Sequence, residues 1–221
     1  MGNVALDVAR ILLSSVDRLE RGEPPESSVK NASWEGEGAP SVGYDLPSPV
    51  LSLLRRSAVE HVSILGRRGP LEAAFTAREL REMIGLDDVK MDTLPQEILQ
   101  DARKGKVSRQ QGRILQLLEK ANVGNTTVPA KRSWSLQFYR SPINVRPAPP
   151  DASHGMKLEL EVSHTKLETV DSASGTSMVA VPTGETSIIP TDMVVTSMGF
   201  EPEKGDVYDQ LIDFIQMQGL F

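Results

Sequence analysis

Val62-Ser63-Ile64-Leu65-Gly66-Arg67-Arg68-Gly69 runs from an apolar, β-type segment into a glycine, a pair of arginines and a second glycine. Behind it, Thr76-x-x-Glu79 forms a capping box ahead of Leu80, Met83 and Ile84, the signature of an amphipathic helix. An apolar strand ending in glycine, then paired guanidinium groups, then a helix is how a nucleotide-binding βα unit grips the 2′-phosphate that separates NADP from NAD. The alternative for Arg67 and Arg68 is a pair of solvated loop charges, the role expected of Arg55 and Arg56.

Working upstream, residues 2–13 read as a helix entered through a glycine, with Val4, Val8, Ile11 and Leu12 spaced to share one apolar face. A first turn opened by Gly2 brings free N–H groups against a pyrophosphate, because no Cβ blocks the approach and the helix dipole favours the negative charge. Gly2 and Ala5 match the second glycine and the third small residue of a G-x-G-x-x-A fingerprint, without the strand that normally feeds it.

These blocks together resemble the FAD-dependent NADPH:adrenodoxin (ferredoxin) reductases. The resemblance is carried by residues 2–13, by Gly66-Arg67-Arg68-Gly69-Pro70-Leu71 continuing to Glu79-Leu80-Arg81-Glu82-Met83, by Phe138-Tyr139-Arg140-Ser141-Pro142, by Val181-Pro182-Thr183-Gly184 and by Ser197-Met198-Gly199-Phe200. It implies that Gly2, Asn3 and Val4 lie at the pyrophosphate, Arg67 and Arg68 at the 2′-phosphate, and Glu79 near the nucleotide. For Glu79 the cap and the ligand role weigh equally. The implied fold is α/β: a Rossmann-like NADP-binding domain of the FAD/NAD(P)-binding reductase fold, lacking its first strand and its FAD domain. That domain is expected over 1–200, with 22–49 as a disordered insertion and 201–221 as a divergent tail bearing a short helix.

Composition narrows the chemistry. The chain has 221 residues and no cysteine, so a disulfide framework, a thiol nucleophile, a cysteine-ligated zinc and an iron–sulfur cluster are all excluded from it. Any iron–sulfur centre belongs to a partner. His61, His154 and His164 show no ligand spacing, so structural or surface roles are expected and no metal is assigned. No run approaches the roughly 20 apolar residues of a spanning helix. Residues 2–13 carry Asp7 with a single arginine, unlike a mitochondrial presequence. A mitochondrial address is implied by the family resemblance alone.

Further along, 22–49 is rich in Pro, Gly and Ser with no sustained period, which reads as a long loop. A short helix is expected at 50–55 and helical structure over 94–121, where Ser108-x-x-Gln111 is a second capping box before Ile114, Leu115, Leu117 and Leu118. Strands are expected at 134–140, 157–162, 177–181 and 193–196, with a turn at 172–175. Net charge is −6, yet Arg103, Lys104, Lys106, Arg109 and Arg113 gather in one stretch, and Arg109 and Arg113 share a helix face. In the reductases this chain resembles, basic residues of the NADP domain dock the acidic iron–sulfur protein; the alternative is a solvated helix end.

The family's flavin segments, a G-x-G-x-x-G loop and a Gly-Trp…Arg-Gly-Pro-Thr-Gly stretch, do not occur here. The expected activity is therefore electron transfer from NADPH through FAD to an adrenodoxin- or ferredoxin-type protein in the full-length family, with this chain supplying the NADP-binding part and no catalytic residue. A stand-alone NADP-binding module and a non-functional truncated gene product are the alternatives.

Overall fold

The computed structural model describes residues 1–14, 48–105, 107–124, 130–172 and 175–197. The bulk of the expected insertion, Lys106, the Met198-Gly199-Phe200 block and the tail helix lie outside the described residues. Ser48 and Pro49, expected in the insertion, instead open a helix.

In chain order the elements are α1 (Asn3–Leu13), α2 (Ser48–Arg55), β1 (His61–Gly66), a 3-10 turn (Pro70–Glu72), α3 (Ala77–Ile84), β2 (Val89–Met91), α4 (Gln96–Arg103), α5 (Arg109–Gly124), β3 (Arg132–Phe138), β4 (Arg140–Pro147), β5 (Leu158–Ser172) and β6 (Gly175–Thr191). They build two three-stranded sheets. The first is parallel, ordered β1-β3-β2, with His61 opposite Ser133 and Gly66 opposite Phe138. Parallel strands joined through helices are the expected product of βα alternation. The second sheet is an antiparallel β4-β5-β6 meander.

One core serves the first sheet and its helices. Trp134, Phe75, Leu80 and Leu118 are fully buried there with Met83, Leu115, Leu6 and Leu13. The sequence reading of α1 needs correction: its buried residues are Leu6, Ala9 and Leu13, while Val4 is 54% exposed and Val8, Ile11 and Leu12 are only partly buried. Asn3, Asp7 and Arg10 form one narrow polar stripe and apolar residues fill both flanks, so periodicity did not single out which flank packs inward, and the small Ala9 permits close approach to the sheet. Polar contacts fix its orientation. Arg10 bridges to Glu82 on α3, and Arg132 donates to the carbonyls of Leu13 and Ser14 at 3.0 and 3.3 Å, satisfying helix-end acceptors.

Both capping boxes form as expected. The helical segment expected at 94–121 divides into α4 and α5, held together by Asn122, whose amide group accepts from Leu94 N–H at 2.9 Å and donates to Leu94 O at 3.0 Å. In the second half the strands differ from expectation. β2 and β4 are additional, β5 and β6 run far beyond 157–162 and 177–181, and 193–196 has no strand structure. The strand expected to run through Arg140 stops at Phe138, because Tyr139 takes a left-handed conformation at φ 56° and turns the chain into the second sheet.

Candidate functional site

The carboxyl end of β1, the start of α1 and the β3–β4 corner meet at the Gly66–Gly69 loop. In open α/β sheets this end of the parallel strands is where ligands bind. Close approach explains both glycines. A Cβ on Gly66 would lie 2.5 Å from Met1 Cγ, and one on Gly69 would lie 2.8 Å from Tyr139 Cζ and nearer still to its hydroxyl. Ala74 N–H donates to Met1 O at 2.9 Å, which ties the segment after the loop to the chain start; the α3 cap begins two residues later.

Within this frame Gly2, Asn3 and Val4 occupy the first turn of α1 and its N-cap position. A Cβ on Gly2 would meet no protein atom within 4 Å, so packing does not require glycine there and the space beside it is open. The side-chain oxygen of Asn3 is buried with no hydrogen-bond partner among the described residues. Such an atom costs about 1–3 kcal/mol when left unsatisfied, and as an acceptor it can be satisfied only by a hydrogen-bond donor. Val4 is exposed on the same turn.

Arg67 and Arg68 are exposed, and neither has an ion-pair partner among the described residues. Their charges are nonetheless felt locally. The Met1 α-amino group sits below its ordinary pKa, first through burial and then through the nearby Arg68 and Arg67 guanidinium groups. The Arg67 and Arg68 guanidinium groups thus stand near an open helix N-terminus, an arrangement that attracts a multiply charged anion.

Glu79 is placed in the α3 cap. Its Oε2 accepts from Thr76 N–H at 2.7 Å and from the Thr76 hydroxyl at 2.8 Å, while Glu79 N–H donates to Thr76 Oγ1 at 3.3 Å. This geometry accounts for the carboxylate without a ligand. Arg109 and Arg113 lie exposed on the first turns of α5, whose start is fastened to the loop region by Gln111 Nε2 donating to Leu71 O at 2.8 Å. Two other cations of that stretch are engaged: Arg103 pairs with Glu119 at 2.5 Å, holding that carboxyl below its usual range, and Lys104 pairs with Asp101 at 2.6 Å.

Two residues to which sequence reading assigned no site role complete the loop: Tyr139, quoted only within the resemblance, and Thr165. The Thr165 hydroxyl donates to Arg67 O at 2.7 Å, and Tyr139 N–H lies 3.4 Å from Arg68 O. Burial raises the Tyr139 phenol pKa, with Glu72 and Asp101 adding to the effect, so the hydroxyl stays protonated at neutral pH. Among the histidines, His61 hydrogen-bonds to Ser133, Ser63 and Ser135 on the first sheet. Among the described residues no group of three or more acidic or histidine side chains could hold a metal ion, and no helix is long and apolar enough to cross a membrane.

Comparison with known proteins defines the class first: the similar proteins are NADPH-dependent oxidoreductases. More particularly, the chain is similar to NADPH:adrenodoxin oxidoreductases and NADPH-ferredoxin reductases. It is 37% identical to the human mitochondrial NADPH:adrenodoxin oxidoreductase over 214 residues, 93% of this chain and 38% of that protein. It is 33% identical to the NADPH-ferredoxin reductase FprA of Mycobacterium tuberculosis over 94% of this chain and 40% of that protein. The structure of FprA in complex with NADPH superposes with a TM-score of 0.68 at 29% identity, covering 92% of this chain and 38% of that one. The chain thus spans less than half the length of the relatives it matches. No family model matches it. Relatives named as mitochondrial and a bacterial relative match alike.

Proposed function

We propose that this chain is the NADP-binding part of an FAD-dependent NADPH:adrenodoxin/ferredoxin-type oxidoreductase, a Rossmann-like unit whose flavin is held outside the described residues. The carrying observation is the convergence of an exposed guanidinium pair, without an ion-pair partner among the described residues, on the same corner as an open α1 N-terminus. The chemistry supplied in the whole protein is hydride transfer from NADPH to the flavin, which then passes single electrons to an iron–sulfur protein.

This chain's residues bind and orient. The α1 N–H groups and the Asn3 side-chain NH2 donate to the pyrophosphate region, with Gly2 leaving room for its approach. Val4 borders that turn. Arg67 and Arg68 receive the 2′-phosphate through charge-assisted hydrogen bonds. Glu79 contributes by fixing the start of α3 beside the nucleotide. Arg109 and Arg113 present a basic helix face to an acidic electron carrier, and the names of the mammalian and plant relatives support a mitochondrial setting for a eukaryotic source.

Isothermal titration of the purified chain tests the reading. NADP+ should bind in preference to NAD+, and the preparation should carry no flavin. Equal affinity for the two nucleotides would overturn the NADP assignment, and flavin bound in stoichiometric amount would overturn its placement outside this chain.

A further inference from the structure

We infer that Thr165, from the second sheet, is a positioning residue for nucleotide selectivity: with Tyr139 it fixes the two peptide units that carry Arg67 and Arg68. The inference deepens the NADP reading and rests on it. Three hydrogen bonds make the connection. The Thr165 hydroxyl donates to Arg67 O at 2.7 Å, Tyr139 N–H approaches Arg68 O at 3.4 Å, and Thr165 N–H donates to Tyr139 O at 3.0 Å. The carbonyls of both arginines are therefore held by one short circuit of backbone and hydroxyl groups reaching across from β3, β4 and β5.

Irregularities in the second sheet lie beside Thr165. The β5–β6 pairing is regular to Ser163, opposite Thr186, and resumes with Thr165 opposite Pro182. Between them Gly184 adopts φ 91°, the Thr183 hydroxyl donates to His164 O at 3.2 Å, and Pro182 supplies no N–H to the ladder. The extra residues lie on β6, where Thr183, Gly184 and Glu185 face His164 alone, and Thr165 directly beside this bulge is 8% exposed with its hydroxyl on the Arg67 carbonyl.

The physical consequence follows from leverage. A guanidinium group stands at the end of a long side chain, so a small rotation of its peptide unit displaces the charged end. Binding constellations need to be held within about 0.5 Å and 10–20° of the productive geometry. The exposed guanidinium groups have no partner of their own recorded among the described residues, so the anchoring of their backbone is what limits where they point. Thr165 touches no nucleotide in this account. It acts through Arg67.

The test compares Kd for NADP+ and NAD+ in the wild-type chain and in Thr165→Val, Thr165→Ala and Thr165→Ser, with a thermal melt of each. Val and Ala should lower the NADP+ preference about 3- to 10-fold, the effect of one hydrogen bond, with NAD+ affinity unchanged. Ser keeps the hydroxyl and should retain the wild-type ratio. An unchanged ratio in both Val and Ala overturns the inference. So does parallel weakening of both nucleotides, or loss of a cooperative melt in both variants, because Thr165 would then be a general structural residue. A wild-type chain with no NADP+ preference defeats the underlying nucleotide reading, and that failure is visible before any variant is measured.

Discussion

Replacing both Arg67 and Arg68 with Ala removes the two groups that distinguish NADP from NAD in the proposed site. Both side chains are exposed and free of recorded ion pairs, so their loss breaks no internal bridge among the described residues and should leave stability within about 0.5 kcal/mol. Toward a dianionic 2′-phosphate the same groups form charge-assisted hydrogen bonds worth about 1.5–3 kcal/mol each when well made. Solvent exposure reduces this, so a net loss of about 1.5–3 kcal/mol for the pair is the working figure, or roughly 10- to 150-fold in Kd. NAD+ lacks the phosphate and should bind the double variant as it binds the wild type. The assay is titration calorimetry with both nucleotides at low salt and again near 0.15 M, where the screening length is about 8 Å and the wild-type preference should shrink. An unchanged NADP+/NAD+ ratio with an unchanged melting curve would refute the reasoning and return Gly66–Gly69 to an ordinary charged turn.

Two further outcomes are expected. Gly69→Ala drives a Cβ into the Tyr139 ring and should cost about 1–3 kcal/mol in urea unfolding, whereas a neutral effect would show that the corner relaxes freely. Thr76→Ala removes the α3 cap at a cost of about 0.5–2 kcal/mol, and if Glu79 acts through that cap, Thr76→Ala and Glu79→Gln should perturb nucleotide affinity alike; a larger loss in Glu79→Gln would assign the carboxylate to the ligand.

What could be read from the chain divides by sequence distance. The α3 and α5 capping boxes and the β1 strand with its glycine–arginine loop were legible, because each is decided within a few residues by side-chain hydrogen bonds or by apolar period. The inner face of α1 was misread because Asn3, Asp7 and Arg10 make only a narrow polar stripe and apolar residues fill both flanks of it. The β2 strand escaped notice because three residues carry too little period to register; the turn at 172–175 between two strands was expected, but not the length of β5 and β6, since β6 continues past Pro182 and Gly184 through a bulge.

The site divides the same way. Gly2, Asn3, Arg67 and Arg68 could be named because each sits in a local motif, and the structure brings both groups to one corner through Met1. Thr165 could not be named, since it lies 98 residues from Arg67 and nothing local distinguishes it from any other strand threonine. Local motifs single out the residues of the proposed ligand chemistry and pass over those that hold them through long-range contacts. In the proposed site the Arg67 carbonyl is fastened from the second sheet and the Arg68 carbonyl from the β3–β4 corner, so the expected contribution of Thr165 to selectivity is real but smaller than that of the arginines themselves.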